Sequence, residues 1–409
     1  MLFILTGRRP ALTRTAYTEP AGSWRFRAGQ ALVKVATRAE IGNEPVWVRC
    51  FEHLRKDARY YDLVECTLRD SFEHRYFVIE DHAGHVRAIQ PFFLLDQDMV
   101  SGSARKIRAL VAGVRLFLPR FLIIRTLMVG CAAGEGHIPM PSHADAQLTA
   151  DSLVATLKRY ASHINVGLIV LKEFPSCYRP TLGRFTEAGY VRVPSMPATR
   201  LNISYSSFED YFSKALSKAT RKDLRRKFRK ATEAEPITLQ VTKDATPYAD
   251  ELYPLYLEVY ERSSFSFEKL TKEYLAEIGR IMPDKVQFFI WRQNGKVVAF
   301  SLCLLHGDEL WDEYIGLDYS VALDLHLYFY TFRDTVQWAI NHGYKWYCSS
   351  ALNYEPKVRL GSELIPLDLY VSHTSALFRF VLHWVLPWLE PTRSDMVLRK
   401  FSNFTDLKG

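Results

Sequence analysis

"YFVIEDHAGHVRAIQPFFLL", Tyr76 to Leu95, and "FFIWRQNGKVVAFSLCLLHG", Phe288 to Gly307, decide the fold between them. Each runs as an apolar strand, a polar turn containing glycine, and a second apolar strand, which predicts a β-hairpin in both places. With Gly84 laid on Gly295, Val86 falls on Val297 and Ala88 on Ala299. A second element recurs downstream. "DSLVATLKRYASHINVGLIVLKEF" carries Leu153, Leu157 and Tyr160 at helical spacing, and "LYFYTFRDTVQWAINHGYKWYCSS" carries Phe332, Val336, Ala339 and Ile340. An apolar strand follows each helix, Leu168 to Leu171 and Lys345 to Cys348. The order hairpin, strand, helix, strand thus occurs twice, in copies of roughly 150 residues, longer than any solenoid repeat. Two related α/β domains are expected.

Bulk properties agree. A chain of 409 residues exceeds the usual single domain, and 48% apolar with 24% charged residues describes a globular protein able to bury two cores. The net charge of +8 favours an anionic partner without choosing among phosphate, lipid and nucleic acid. Six cysteines (Cys50, Cys66, Cys131, Cys177, Cys303, Cys348) are scattered with no C-x-x-C pair, which argues against a disulfide framework and a zinc site. His306, His326, His342 and His373 show no ligand spacing, so no metal is expected. "MLFILTGRRP" is too short an apolar run for a signal peptide, and a cytoplasmic location is expected. The nearest approach to a membrane segment is "SALFRFVLHWVLPWLEP", Ser375 to Pro391, broken by Arg379, His383 and Pro387. It is expected either to lie on a membrane surface or to close the core as a buried helix.

The break between the halves falls near "PSMPATRLNIS", Pro194 to Ser204, where two prolines impose extended chain. The expected divisions are a lead-in over 1–42, a first domain over 43–196, a second over 197–373, and an amphipathic tail over 374–409. The second domain opens on the most charged stretch of the chain, with eight basic residues between Lys218 and Lys230 against one acid, Asp223. Phe212, Leu216, Leu224 and Phe228 recur at multiples of four, predicting one amphipathic helix from Phe208 to Ala231. Such a run is either a solvated face or a clamp for an anion. Arg221 and Arg225, one turn apart, are the residues suited to bind phosphate or carboxylate in a bidentate way.

"MPATRLNISYSSFEDYFSKALSKATRKDLRRKFRKA", "GKVVAFSLCLLHGDELWDEYIGLD", "LHLYFYTFRDTVQWAINHGYKWY" and "YEPKVRLGSELIPLDLYVSH" together resemble the Fem-like branch of the GNAT acyltransferase superfamily. The resemblance covers most of Val193 to His373; the first half is similar more loosely, as a degenerate GNAT-like domain. It implies two mixed, mostly antiparallel sheets flanked by helices, and acyl-CoA as co-substrate with no permanently bound cofactor. Tyr314, Gly316, Ser320, Leu323 and His326 are then the expected CoA-binding residues, beside a helix that starts near Asp324. The implied acceptor is an amine or a sugar, lipid-linked in an envelope or exopolysaccharide pathway, at the inner face of the cell membrane. The usual two-glycine pyrophosphate loop is absent from Tyr319 to Leu323, which leaves an aminoacyl-tRNA donor, or a non-catalytic binding module, as the alternative.

Acyl transfer needs a base for the acceptor and a proton donor for the departing thiolate. On "ELWDEYIGLD", strand alternation sets Trp311, Glu313 and Ile315 on one face and Asp312, Tyr314 and Gly316 on the other. Glu313 is the first expectation for the base, Asp312 the second, and Tyr328 with His326 the expected donors. Lys357 matches a basic position of the family. With Arg359 two residues on, it is expected to project from extended chain toward an anionic substrate.

Overall fold

A computed structural model describes residues 24–98, 105–263, 267–393 and 395–409. The lead-in before residue 24, including "MLFILTGRRP", lies outside the described residues. The chain forms two compact units, one built from 24–195, 267–269 and 366–393 and the other from 196–263, 270–365 and 395–409.

The first unit contains β1 (Arg25–Ala28), β2 (Ala31–Ala36), α1 (Arg38–Ile41), α2 (Pro45–Phe51), α3 (Ala58–Leu68), β3 (Glu73–Glu80), β4 (Val86–Asp98), α4 (Arg105–Arg115), β5 (Ile123–Val129), α5 (His143–His163), β6 (Leu168–Pro175), α6 (Arg179–Glu187) and β7 (Val191–Pro194). The second contains β8 (Ala198–Asn202), α7 (Phe208–Ala215), α8 (Lys218–Thr232), β9 (Ile237–Thr242), α9 (Ala249–Arg262), α10 (Lys272–Ile281), β10 (Val286–Gln293), β11 (Lys296–His306), β12 (Glu309–Leu317), α11 (Leu327–Asn341), β13 (Trp346–Ser349), α12 (Tyr354–Arg359) and β14 (Glu363–Ile365). The chain then returns to the first unit with β15 (Leu367–His373) and α13 (Ala376–Val385).

The strand orders are β1-β2-β3-β4-β5-β6-β15-β7 and β14-β8-β13-β12-β11-β10-β9. The expected repeat is present: each sheet holds a hairpin, a third antiparallel strand, a helix, and a strand parallel to the third, β5 with β6 and β12 with β13. The hairpin β10–β11 closes on Asn294 (φ 51°) and Gly295 (φ 77°), two left-handed residues whose twist matches that of the strands. In the first hairpin the Asp81 carboxylate accepts from the Ala83 and His85 amides, and Gly84 takes φ 83°. The apolar stripes of α5 and α11 bury as spaced, with Leu153 and Leu157 in one core and Val336 and Ala339 in the other.

Four local expectations are corrected. The single helix over Phe208–Ala231 is two, because Leu216 is extended (ψ 145°) and Ser217 caps α8 by accepting from the Thr220 amide. Phe212, Leu216 and Leu224 are nevertheless buried together, with Phe228 packed against them. Residues 25–41, within the lead-in, form β1, β2 and α1 of the first unit. Strand β15, placed by sequence at the end of the second domain, pairs with β6 and β7 of the first sheet. Asp368 on it is enclosed and takes ion pairs from Arg179 and Arg192. The tail likewise divides, its last residues packing Leu398, Phe401 and Leu407 onto Tyr354 and Leu364 of the second unit.

Candidate active site

Strand β12 pairs with β13 only from Glu309 to Asp312, opposite Trp346 to Ser349. Beyond that point β12 continues to Leu317 beside β11 alone, so the sheet forks at Asp312 and Glu313. A bulge coincides with the fork: Leu302 faces Tyr314 and Cys303 faces Asp312, leaving Glu313 as the extra residue. The bulge resets the alternation expected from sequence. Tyr314 now packs between Tyr256 and Tyr274, Gly316 lies against Leu255, and Ile315 and Leu317 join the opposite core with Leu310.

Seven polar side chains converge at the fork. The Tyr347 hydroxyl donates to Asp312 Oδ2 at 2.7 Å. Asp312 Oδ1 is enclosed outside hydrogen-bond geometry, although the Ser301 hydroxyl is near enough to favour its charged form. Burial dominates and pushes the Asp312 carboxyl up to about 6, against the opposing pull of Tyr347 and Lys357. Lys357 is enclosed, and its ammonium donates to the Ser350 carbonyl. Desolvation lowers it to about 7, with Asp312 the charge that opposes the fall. The Ser350 hydroxyl donates to Glu313 Oε2 and to the Glu313 carbonyl, both at 3.3 Å, bridging the open end of the fork. The Tyr328 phenol is pushed up by desolvation and by the Asp312 charge, and stays protonated across the physiological range.

The expected residues are distributed as follows. Asp312, Glu313, Tyr328 and Lys357 come together here. Lys357 does so from a helix, α12, and not from extended chain; Arg359 therefore turns away from it, half-exposed, and pairs with Asp223. Arg221 donates to the Ser213 and Leu216 carbonyls, capping the end of α7, and Arg225 stacks over Phe212. Gly316 leaves no room for a ligand, since a Cβ there would lie 2.2 Å from the Phe300 ring and 2.9 Å from Leu255. Gly316→Ala is expected to destabilise the second unit by about 1–3 kcal/mol, read as a lowered Tm, because the core must shift to admit one methyl. Ser320 bonds Asp318, Leu323 is exposed, and α11 starts at Leu327, not at Asp324. The chain stays in turns to His326 (φ 51°), and exposed Asp324 pairs with Lys230. His326 is lowered, first by burial and then by Lys227, Lys230 and Arg226 of α8, which marks a cationic environment at the start of α11.

Tyr347, Ser350 and Ser301 escaped the sequence, where a tyrosine or serine inside an apolar strand reads as core. At the corresponding fork of the first unit the space is bridged by protein. Gly136 donates to the Glu173 carbonyl, Lys172 donates to the Gly134 carbonyl, and Glu135 is held by Arg55 and Lys56. A Cβ on Gly136 would meet the Lys172 carbonyl and the Phe174 ring at 2.6 Å. The two units thus share a fork but fill it with different groups.

Residues 218–355, about a third of the chain, match the family model described as an acetyltransferase (GNAT) domain. The second unit therefore contains a domain of the GNAT superfamily, an α/β fold with its fork between the two parallel strands. Among solved structures the chain is similar to the C-terminal domain of a putative lysylphosphatidylglycerol synthetase from Agrobacterium fabrum, at 9% identity over 83% of this chain and 95% of that one, TM-score 0.49. FemX is similar at 9% identity over 87% and 99% of the two chains, TM-score 0.48. A tandem GNAT protein from the clavulanic acid biosynthesis pathway is similar at 10% identity over 84% and 99%, TM-score 0.42. No curated protein matches the chain.

Proposed function

We propose that the second unit transfers an acyl group from a CoA thioester to an amine or hydroxyl acceptor, in envelope or exopolysaccharide biosynthesis. The observation that carries the reading is the enclosed Asp312–Tyr347–Lys357 group at the fork of a GNAT domain. The acceptor's nucleophilic atom forms a bond to the thioester carbonyl carbon while Asp312 Oδ1 takes its proton. The Lys357 ammonium offsets the negative charge that develops on the carbonyl oxygen. Collapse breaks the C–S bond, and the thiolate takes a proton from the Tyr328 hydroxyl. Asp312 replaces Glu313 as first choice for the base, because its enclosed carboxyl titrates near the pH at which it must work. The cationic surroundings of His326, set by Lys227, Lys230 and Arg226 of α8, suit the CoA pyrophosphate.

Isothermal titration with acetyl-CoA and longer acyl-CoAs is expected to show binding that weakens as salt rises. Absence of binding to every thioester would remove this reading in favour of a non-catalytic module. A second donor, aminoacyl-tRNA, is favoured by the exposed bases Lys218, Lys222, Arg226 and Arg229 along α8. A filter-binding titration separates the two, since tRNA affinity would fall steeply with salt. No helix among the described residues is long and apolar enough to cross a membrane. α13, whose Leu377, Phe380 and Trp384 are all exposed, serves in this proposal as peripheral contact with the membrane carrying a lipid-linked acceptor.

A further inference from the structure

The first unit carries a second exposed apolar element. After α4 the chain reads "LFLPRFL", Leu116 to Leu122, and Leu110, Leu116, Phe117 and Leu118 are 71%, 81%, 86% and 60% exposed. Side chains of this size in a row are otherwise kept from water. The segment is held in place. Arg115 donates to both Asp98 carboxylate oxygens at 2.9 and 2.7 Å and to the Phe121 carbonyl at 2.9 Å, and Arg120 pairs with Asp96. Val111 is buried and anchors α4.

Sheet register relates this element to α13. Thr126 of β5 lies opposite Leu168 of β6, and Leu168 lies opposite His373 of β15. The chain enters β5 from the 116–122 loop just before Thr126 and leaves β15 for α13 just after His373. Both elements therefore emerge at one end of the sheet, separated by the single strand β6, or roughly 10 Å at the usual strand spacing. Their charge is also alike: Arg105 to Gly134 holds six basic residues and no acid, although Arg115, Arg120 and Arg125 are ion-paired with Asp98, Asp96 and Glu73, and Thr374 to Leu389 holds Arg379 and His383 and no acid.

We infer that residues 109–122 form, with α13, a two-point docking surface for an anionic lipid bilayer. Apolar side chains standing clear of the protein within an acid-free, basic stretch match the layering of a membrane interface, hydrocarbon beneath phosphate. Nucleic acid would use the bases but gain nothing from exposed leucines. The inference deepens the peripheral role proposed for α13, yet rests on its own residues.

The test is flotation of the full chain with phosphatidylcholine vesicles containing about one-third phosphatidylglycerol, beside pure phosphatidylcholine. Wild type is expected to float with the anionic vesicles only. The triple variant Leu116→Ser, Phe117→Ser, Leu118→Ser should lose partitioning by roughly tenfold or more, as should Phe380→Ser with Trp384→Ser. All five positions are exposed, and circular dichroism should confirm folding. Loss in the α13 variant alone would overturn the two-point surface while sparing the role of α13. Loss in the loop variant alone would do the reverse to α13. When Phe117→Trp is added to a Trp384→Phe, Trp388→Phe background, the emission gained over that background should shift to shorter wavelength on adding anionic vesicles, and an unshifted difference spectrum would overturn insertion of the loop. A concentration-dependent dimer that the triple variant dissolves, with no vesicle binding, would make the surface a contact between copies instead.

Discussion

Asp312→Asn is expected to lower kcat for acyl transfer by roughly 10³-fold, within the usual worth of a positioned base. With the Asp312 carboxyl raised to about 6, wild-type kcat/KM should rise as pH increases through about 6, where the carboxylate forms. In the variant that limb should vanish, because the amide does not titrate. Asn is nearly isosteric and can still accept from Tyr347, so thioester affinity should change little, while Tm at neutral pH should rise because a carboxylate held in a desolvated site is removed. Glu313→Gln is the paired control. Glu313 touches Ser350 at the mouth of the fork, and a loss there as large as that of Asp312→Asn, with the acid limb intact in Asp312→Asn, would reverse the two roles.

Lys357→Met is expected to cost activity and add stability. In the unfolded chain the ammonium titrates near its ordinary value, while in the folded protein it is lowered to about 7. Between these values the unfolded state binds more protons, so wild-type stability should climb as pH rises from about 7 toward 10 and carry its full deficit below 7. The shift corresponds to about 5 kcal/mol at most. The hydrogen bond to the Ser350 carbonyl is lost in the variant, which leaves a net gain of about 2 kcal/mol at neutral pH. Chemical denaturation across that range should show the climb in wild type and its absence in Lys357→Met. Turnover should fall roughly 100-fold, with the loss of an electrostatic donor. Lys357 also holds the Asp312 carboxyl down, so the acid limb should move above its wild-type position. A variant that is less stable at pH 7 would show that the lysine is a structural ion pair and not a strained functional group.

Much of the architecture was legible because it depends on local period. Leu153 and Leu157, or Val336 and Ala339, fix a helix face by spacing alone, and Asn294-Gly295 specifies its turn by left-handed backbone. The site was legible only by residue type. Asp312, Glu313, Tyr328 and Lys357 could be named, but strand alternation assigned Asp312 and Glu313 to opposite faces. One extra residue opposite Leu302 and Cys303 undoes that assignment, and a bulge has no composition to announce it. The helix α12 was hidden similarly: six residues are too few to show a period, and its turn swings Lys357 inward while sending Arg359 to Asp223. The basic run illustrates the same limit, since Arg221 proved to be a cap for the end of α7, a role that exists only once Ser217 breaks the helix.

By itself, then, the sequence determined the tandem repeat, the hairpins, the helix faces and the chemical kinds of group available to the second unit. These follow from interactions among residues a few positions apart. Tertiary structure decided which strand completes which sheet, since β15 finds β6 from nearly 200 residues away through edge hydrogen bonds that any strand could supply. It also decided what fills each fork: Glu135, Lys56 and Lys172 in the first, and the interacting charges of Asp312 and Lys357 in the second. Their altered ionisation comes from losing water, and only the packed chain determines how much water a side chain loses.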